Sequence, residues 1–157
     1  MHCVEIKATI LVMAVDIGKL LRNLWFDFMD PVETVCKLIY EWQPTDTSSE
    51  IKIEESLHEY LAKQLKWYDV RRQFRHDRII ADILINEKLA IEIKLNLIRI
   101  DDFRRLIGQL DCYANWGVRM IVLLVGKVDN DLMRRVEERL QKDWEDEDEA
   151  RVVHMPV

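Results

Sequence analysis

Glycine and proline are scarce, with four and three among 157 residues. Such breakers punctuate loops, so their scarcity excludes a turn-dense sandwich and points to long elements joined by short loops. Cysteine is equally sparse. Cys3, Cys36 and Cys112 are odd in number and far apart, which excludes a disulfide framework and shows no zinc spacing. That usage implies a reduced, cytoplasmic setting. No apolar run approaches the ~20 residues that span a bilayer. The best candidate, residues 8–15, ends at Asp16, Lys19 and Arg22, and the N-terminus lacks the pattern of a signal peptide. There is no glycine-rich phosphate loop, which disfavours a nucleotide cofactor. His58-Glu59 is not followed by the second histidine of a zincin helix, and His2, His58, His76 and His154 are scattered.

Hydrophobic residues make up 49% and charged residues 33%, enough for one domain with a full core. The net charge of −6 is unevenly spread. Residues 1–50 hold four basic and eight acidic side chains, residues 51–142 hold 18 and 15, and residues 143–157 hold one and six. A mildly basic middle between acidic ends permits a polyanionic partner without demanding one.

Helical spacing of Ile10, Ile17, Leu21, Leu24 and Phe28 predicts a helix over 4–29. Asp30-Pro31 restarts a helix that runs to about Trp42, and residues 43–49 are a linker. Ser49 caps a helix over about 50–66, with Ile53, Leu57, Leu61 and Leu65 as its stripe and Glu54 on the inward half. The period then changes. Residues 67–76 alternate, and 79–85 and 89–95 read as strands around a turn at 86–88. A helix over 101–116 is stopped by Gly117, 119–125 is a buried strand, and 130–142 is an amphipathic helix. The acidic run 143–149 reads as a solvated segment. The expected organisation is an N-terminal helical extension and linker (1–49), an α/β core (50–142) and an acidic C-terminal segment (143–157). From residue 50 the order α-β-β-β-α-β-α implies a mixed sheet flanked by helices. The apolar extension is expected to pack on the core or on a second copy of the chain, with Trp25 and Trp42 packing its helices.

Three charged residues on neighbouring strands carry the chemistry. Asp82 has three apolar residues on each side, where a lone carboxylate is costly. Glu92 and Lys94 are two apart, so they share a face. A three-residue turn pairs Ile85 with Leu89 and sets Asp82 opposite Glu92. A two-residue turn sends them to opposite faces and favours a protein-interaction domain instead. Opposed carboxylates repel, and a divalent cation relieves that repulsion. Mg²⁺ is commonly held by one or two carboxylates with water and a substrate phosphate. Lys94 beside them suits hydrolysis of a phosphodiester.

Asp82, nine intervening residues, then Glu92-Ile93-Lys94 resembles the signature of the PD-(D/E)XK nuclease superfamily. The order of elements over 50–125 is similar to the αβββαβ core of its restriction-endonuclease-like fold. Ala81 stands where the name-giving proline would be. The resemblance implies a Mg²⁺- or Mn²⁺-dependent nuclease acting on DNA. Asp82, Glu92 and the carbonyl of Ile93 would be metal ligands, and Lys94 the catalytic lysine. Glu54, with Glu55 as alternate, would complete the site. Gln109 and Tyr113 are similar to the QxxxY pattern of RecB-like nucleases and share a helical face. Arg71, Arg72, Arg75, Arg78, Arg104 and Arg105 are candidate phosphate contacts. A chain of this size would work as a homodimer or within a larger DNA-processing complex. The alternative is an inactive nuclease-like module that binds nucleic acid or protein.

Overall fold

The computed structural model describes residues 17–18, 20–22, 24–146 and 148–157. The first part of the helix expected over 4–29 lies outside them, and residues 24–28 are helical. Helix α1 (Pro31–Glu41) starts where the sequence places it. Asp30 Oδ1 accepts the Glu33 N–H at 3.1 Å, and Pro31 opens the first turn. Val32, Val35, Cys36 and Ile39 form its buried face. Helix α2 (Glu50–Gln64) is capped by Ser49, whose Oγ accepts the Lys52 N–H at 3.3 Å. It buries Ile53, Leu57 and Leu61 together with Glu54.

Five strands follow in the spatial order of the chain: β1 (Val70–His76), β2 (Ile79–Ile85), β3 (Leu89–Leu95), β4 (Arg119–Val125) and β5 (Ala150–Met155). The first three form an antiparallel meander, and β3, β4 and β5 are parallel. Parallel neighbours need crossovers. Helix α3 (Ile100–Trp116) joins β3 to β4, and α4 (Asn130–Asp143) joins β4 to β5. The result is an α/β protein with a mixed sheet. Helices α1 and α2 cover one face over Ile83, Ile91, Ile93, Ile121 and Leu123. Helices α3 and α4 cover the other over Leu84, Ala90, Met120, Val122 and Leu124. Covered on both sides, β4 is buried from Met120 to Val125, which is why its sequence is apolar without alternation.

Residues 150–155, given no element by the sequence reading, form strand β5. They pair with β4 from Met120 opposite Ala150 to Val125 opposite Met155, and Val153 is fully buried. Trp144, just before them, is buried with its indole N–H on the Val118 carbonyl at 2.9 Å. The extension divides. Helix α1, Phe26 and Trp42 join the core, and Asp27 bridges to Lys88 and Arg119. Trp25, expected to pack, is instead exposed, and Leu21, Leu24 and Phe28 in the same stretch are exposed too. No helix among the described residues is long and apolar enough to cross a membrane.

Asn96 ties the ends of β3 and β4, its N–H donating to the Val125 carbonyl at 2.9 Å, and it does so against one glycine. Gly126 has φ +82°, and an added Cβ would sit 2.4 Å from Asn96 Oδ1. That oxygen accepts the Lys127 N–H at 2.8 Å. Gly126→Ala is therefore expected to cost about 1–3 kcal/mol of stability, read as a lower urea midpoint. An unchanged midpoint would mean that the Asn96 contact is dispensable.

Candidate active site

The turn between β2 and β3 decides which faces meet. Asn86 and Glu87 both have positive φ, and the Lys88 N–H closes the turn on the Ile85 carbonyl at 3.0 Å. Lys88 is then an extra residue, because Ile85 pairs with Leu89, Leu84 with Ala90 and Ile83 with Ile91. This is the register expected of a three-residue turn, and it carries Asp82 to the level of Glu92.

The ladder stops there. Continued, it would pair Ala81 with Ile93, but the Ile93 N–H is taken by Asp82 Oδ2 at 2.8 Å. The neighbouring ladder is interrupted at the same level: Arg72 pairs with Ile83 and Phe74 with Ala81, while Gln73 between them has φ +49°. Ile79, Ala81 and Leu84 all pack against the α3 side, so the alternation of β2 slips at Asp82. The carboxylate thus sits where the strands part. Its Oδ1 has no hydrogen-bond partner among the described residues and is not sealed from solvent. Burial, then the charge of Glu92, push the Asp82 pKa up to about 7.

Glu92 is 1% exposed and meets three donors. Lys94 Nζ and Gln109 Nε2 reach its Oε1 at 2.7 and 2.6 Å, and the Tyr113 hydroxyl reaches its Oε2 at 2.7 Å. Gln109 and Tyr113 lie one turn apart on α3, so their shared helical face is turned onto one buried carboxylate. Burial raises the Tyr113 pKa, and Glu92 raises it further, so the phenol stays a donor. Lys94 is 16% exposed. Burial alone would lower its pKa, but the charge and hydrogen bond of Glu92 outweigh that and raise it. Lys94 is therefore an ammonium at neutral pH. Tyr113→Phe leaves Glu92 Oε2 without its donor. It is expected to cost about 1.5–3 kcal/mol, the scale of a hydrogen bond to a charged group, in the urea midpoint. A loss within 0.5 kcal/mol, roughly the level of a neutral surface change, would show that water replaces the phenol.

Glu54 is buried on the inward side of α2, as its spacing implies, but it is engaged elsewhere. Arg72 Nε holds Oε1 and Gln73 Nε2 holds Oε2, both at 2.6 Å. Arg72 also lies 3.5 Å from Glu55. Glu54 is near enough that its charge raises the pKa of Asp82, yet among the described residues no three His, Cys, Asp or Glu side chains converge as a metal cluster. The structure thus brings Asp82, Glu92, Lys94, Gln109 and Tyr113 together and sets Glu54 to one side. Arg75 and Arg78 are exposed. Arg71 pairs with Asp69, Arg104 with Asp101 and Arg105 with Asp102 on the surface.

Two participants were not expected. Gln73 fixes Glu54, and only its place in a polar strand hinted at it. Glu50, in the first turn of α2, accepts the Leu95 N–H at 3.0 Å and adds to the raised pKa of Lys94. No protein-family model matches the chain, and no curated protein or solved structure matches it either.

Proposed function

We propose that the chain is a metal-dependent nuclease that hydrolyses phosphodiester bonds in DNA, built on a restriction-endonuclease-like core. One observation carries the reading. Asp82 and Glu92 meet at the point where β2 and β3 part, with Lys94 on the same strand and Gln109 and Tyr113 closing over Glu92. The αβββαβ order over Glu50–Val125 agrees with it.

The donor set suits Mg²⁺ or Mn²⁺. Asp82 Oδ1 has no hydrogen-bond partner among the described residues, and burial first, then the charge of Glu92, raises the Asp82 pKa, a cost that a bound divalent cation would relieve. Asp82, Glu92 and the Ile93 carbonyl would hold the ion, and Mg²⁺ is commonly bound by one or two carboxylates together with water and phosphate oxygens. Such an ion supplies Lewis-acid polarisation of the phosphate and a more acidic bound water. Glu54 would approach it only by giving up Arg72 or Gln73.

The chain's own groups have distinct parts. Gln109 and Tyr113 fix the rotamer of Glu92. Lys94, held as an ammonium, is placed to balance negative charge on the phosphate as water adds to phosphorus and the ester oxygen leaves. Arg75, Arg78, Arg104 and Arg105 are the exposed candidates for backbone phosphates. Arg72 supports the site by holding Glu54. A homodimer or a larger complex would extend the DNA contact.

The test is incubation of the chain with labelled single-stranded, duplex and branched DNA, and with RNA, in Mg²⁺ or Mn²⁺ and in chelator. Cation-dependent products on DNA are the expected result. No product on any substrate would overturn the enzymatic reading, and binding on the same panel would then identify a nuclease-like binding module.

A further inference from the structure

The QxxxY face of α3 does not end at the carboxylates. Gln109, Tyr113 and Trp116 form one stripe, and Trp116 carries it a turn past Glu92. The Tyr113 and Trp116 rings are 6.4 Å apart at 17°. His76, at the end of β1, lies flat on Trp116 with ring centroids 4.1 Å apart and an interplanar angle of 6°. Phe74 supports Trp116 from β1 at 6.1 Å. The His76 side chain is still 40% exposed, so the stack is unfinished at its outer end.

That end opens into a cavity of about 460 Å³, walled by His76, Asp77, Arg78, Cys112, Asn115 and Trp116 among others. The volume lies within the range of small-ligand sites, ~300–1,000 Å³. Its walls are chemically mixed: Asp77, whose carboxylate lies 3.8 Å from His76 Nε2, is acidic and exposed, and the other groups suit a nucleotide. A flat ring offers a stacking surface, the exposed Asn115 amide offers a donor and an acceptor, and the exposed Arg78 on the β1–β2 turn offers a phosphate contact. The cavity also sits at the start of β2, three residues before Asp82, a span of ~10 Å along the strand.

We infer that this cavity is a base-stacking subsite, which takes an unpaired base of single-stranded DNA onto His76 while its backbone runs toward Asp82 and Glu92. The inference rests on nucleic acid being the substrate proposed above and narrows it to a single strand or an unpaired end. A base inside a duplex is stacked on both sides and cannot present its face to His76.

Two measurements on the full chain test it, both in chelator so that no cutting intervenes. The first is fluorescence anisotropy of labelled oligo-deoxythymidine and of a duplex, with wild type and His76→Ala. Trp116 is left intact because it packs on Tyr113. Loss of a stacked base is expected to weaken single-strand binding by about 5- to 100-fold and to leave duplex binding unchanged. The second is alkylation of Cys112, exposed in the cavity wall, followed by peptide mass. Bound oligonucleotide is expected to slow it severalfold. Single-strand binding by His76→Ala within twofold of wild type, or unslowed alkylation at saturating oligonucleotide, overturns the subsite. Failure of wild type to bind single strands does so as well. Cutting with Mg²⁺ is scored separately. A nuclease indifferent to His76→Ala keeps the proposed function and loses the subsite, whereas a His76 effect on binding without any cutting does the reverse.

Discussion

Lys94→Ala is expected to slow cation-dependent cutting on the order of 10²–10³-fold, the scale on which one charge-stabilising donor acts in a transition state. The residue is suited to that test because its other partner survives its loss. Without Lys94, Glu92 still holds the Gln109 amide and the Tyr113 hydroxyl, so the carboxylate keeps its position. In the cation-free protein the charge and hydrogen bond of Glu92 outweigh burial and raise the Lys94 pKa. Lys94→Arg restores charge but not the compact ammonium geometry, and a partial recovery is expected. Glu92→Gln should abolish cutting altogether while keeping a hydrogen-bonding side chain in place. Single-turnover rates on the preferred DNA give the comparison. Lys94→Ala within threefold of wild type would remove the lysine from the chemistry.

Asp82→Asn should make the cation-free protein more stable at pH 8, by an amount on the order of a few kcal/mol. Burial first, and then Glu92, raise the folded-state pKa of Asp82 from 3.8 to about 7. Between those values the folded chain binds a proton that the unfolded chain has released, so stability is highest below about pH 4 and declines as pH rises through 7. At pH 8 the wild type bears the whole cost of a buried carboxylate beside another. Asparagine bears no charge and keeps an oxygen for the Ile93 N–H. Urea midpoints of the two proteins should therefore differ most at pH 8 and converge near pH 4. A less stable Asp82→Asn at pH 8 would mean that the carboxylate is there as a structural hydrogen-bond acceptor and not as an unpaired charge awaiting a cation.

Local signals foretold most of the framework. Asp30-Pro31 and Ser49 opened their helices, Gly117 closed α3 at φ +78°, and the apolar run in β4 marked a strand covered on both faces. The site was legible as a choice between two turn lengths, because alternation alone fixes a face only once the register is known. What decided it was two consecutive positive φ angles at Asn86 and Glu87, which neither residue type demands. Strand β5 escaped notice because it follows an acidic run and buries only Val153 fully; its pairing is supplied by β4, 30 residues earlier in the parallel register. Gln73 escaped because its role comes from an unusual backbone angle opposite Asp82. Leu21, Leu24 and Phe28 share a helical stripe and Trp25 is expected to pack beside it, yet all four are exposed, because spacing does not say whether a stripe finds a partner.

The measurement closest to the central claim is calorimetric titration of the cation-free chain with Mn²⁺ at pH 8, beside Asp82→Asn and Glu92→Gln. Saturable binding by wild type is expected, with each substitution weakening it at least tenfold and neither protein unfolded. Equal binding by all three, or none by wild type, would contradict a cation site between β2 and β3.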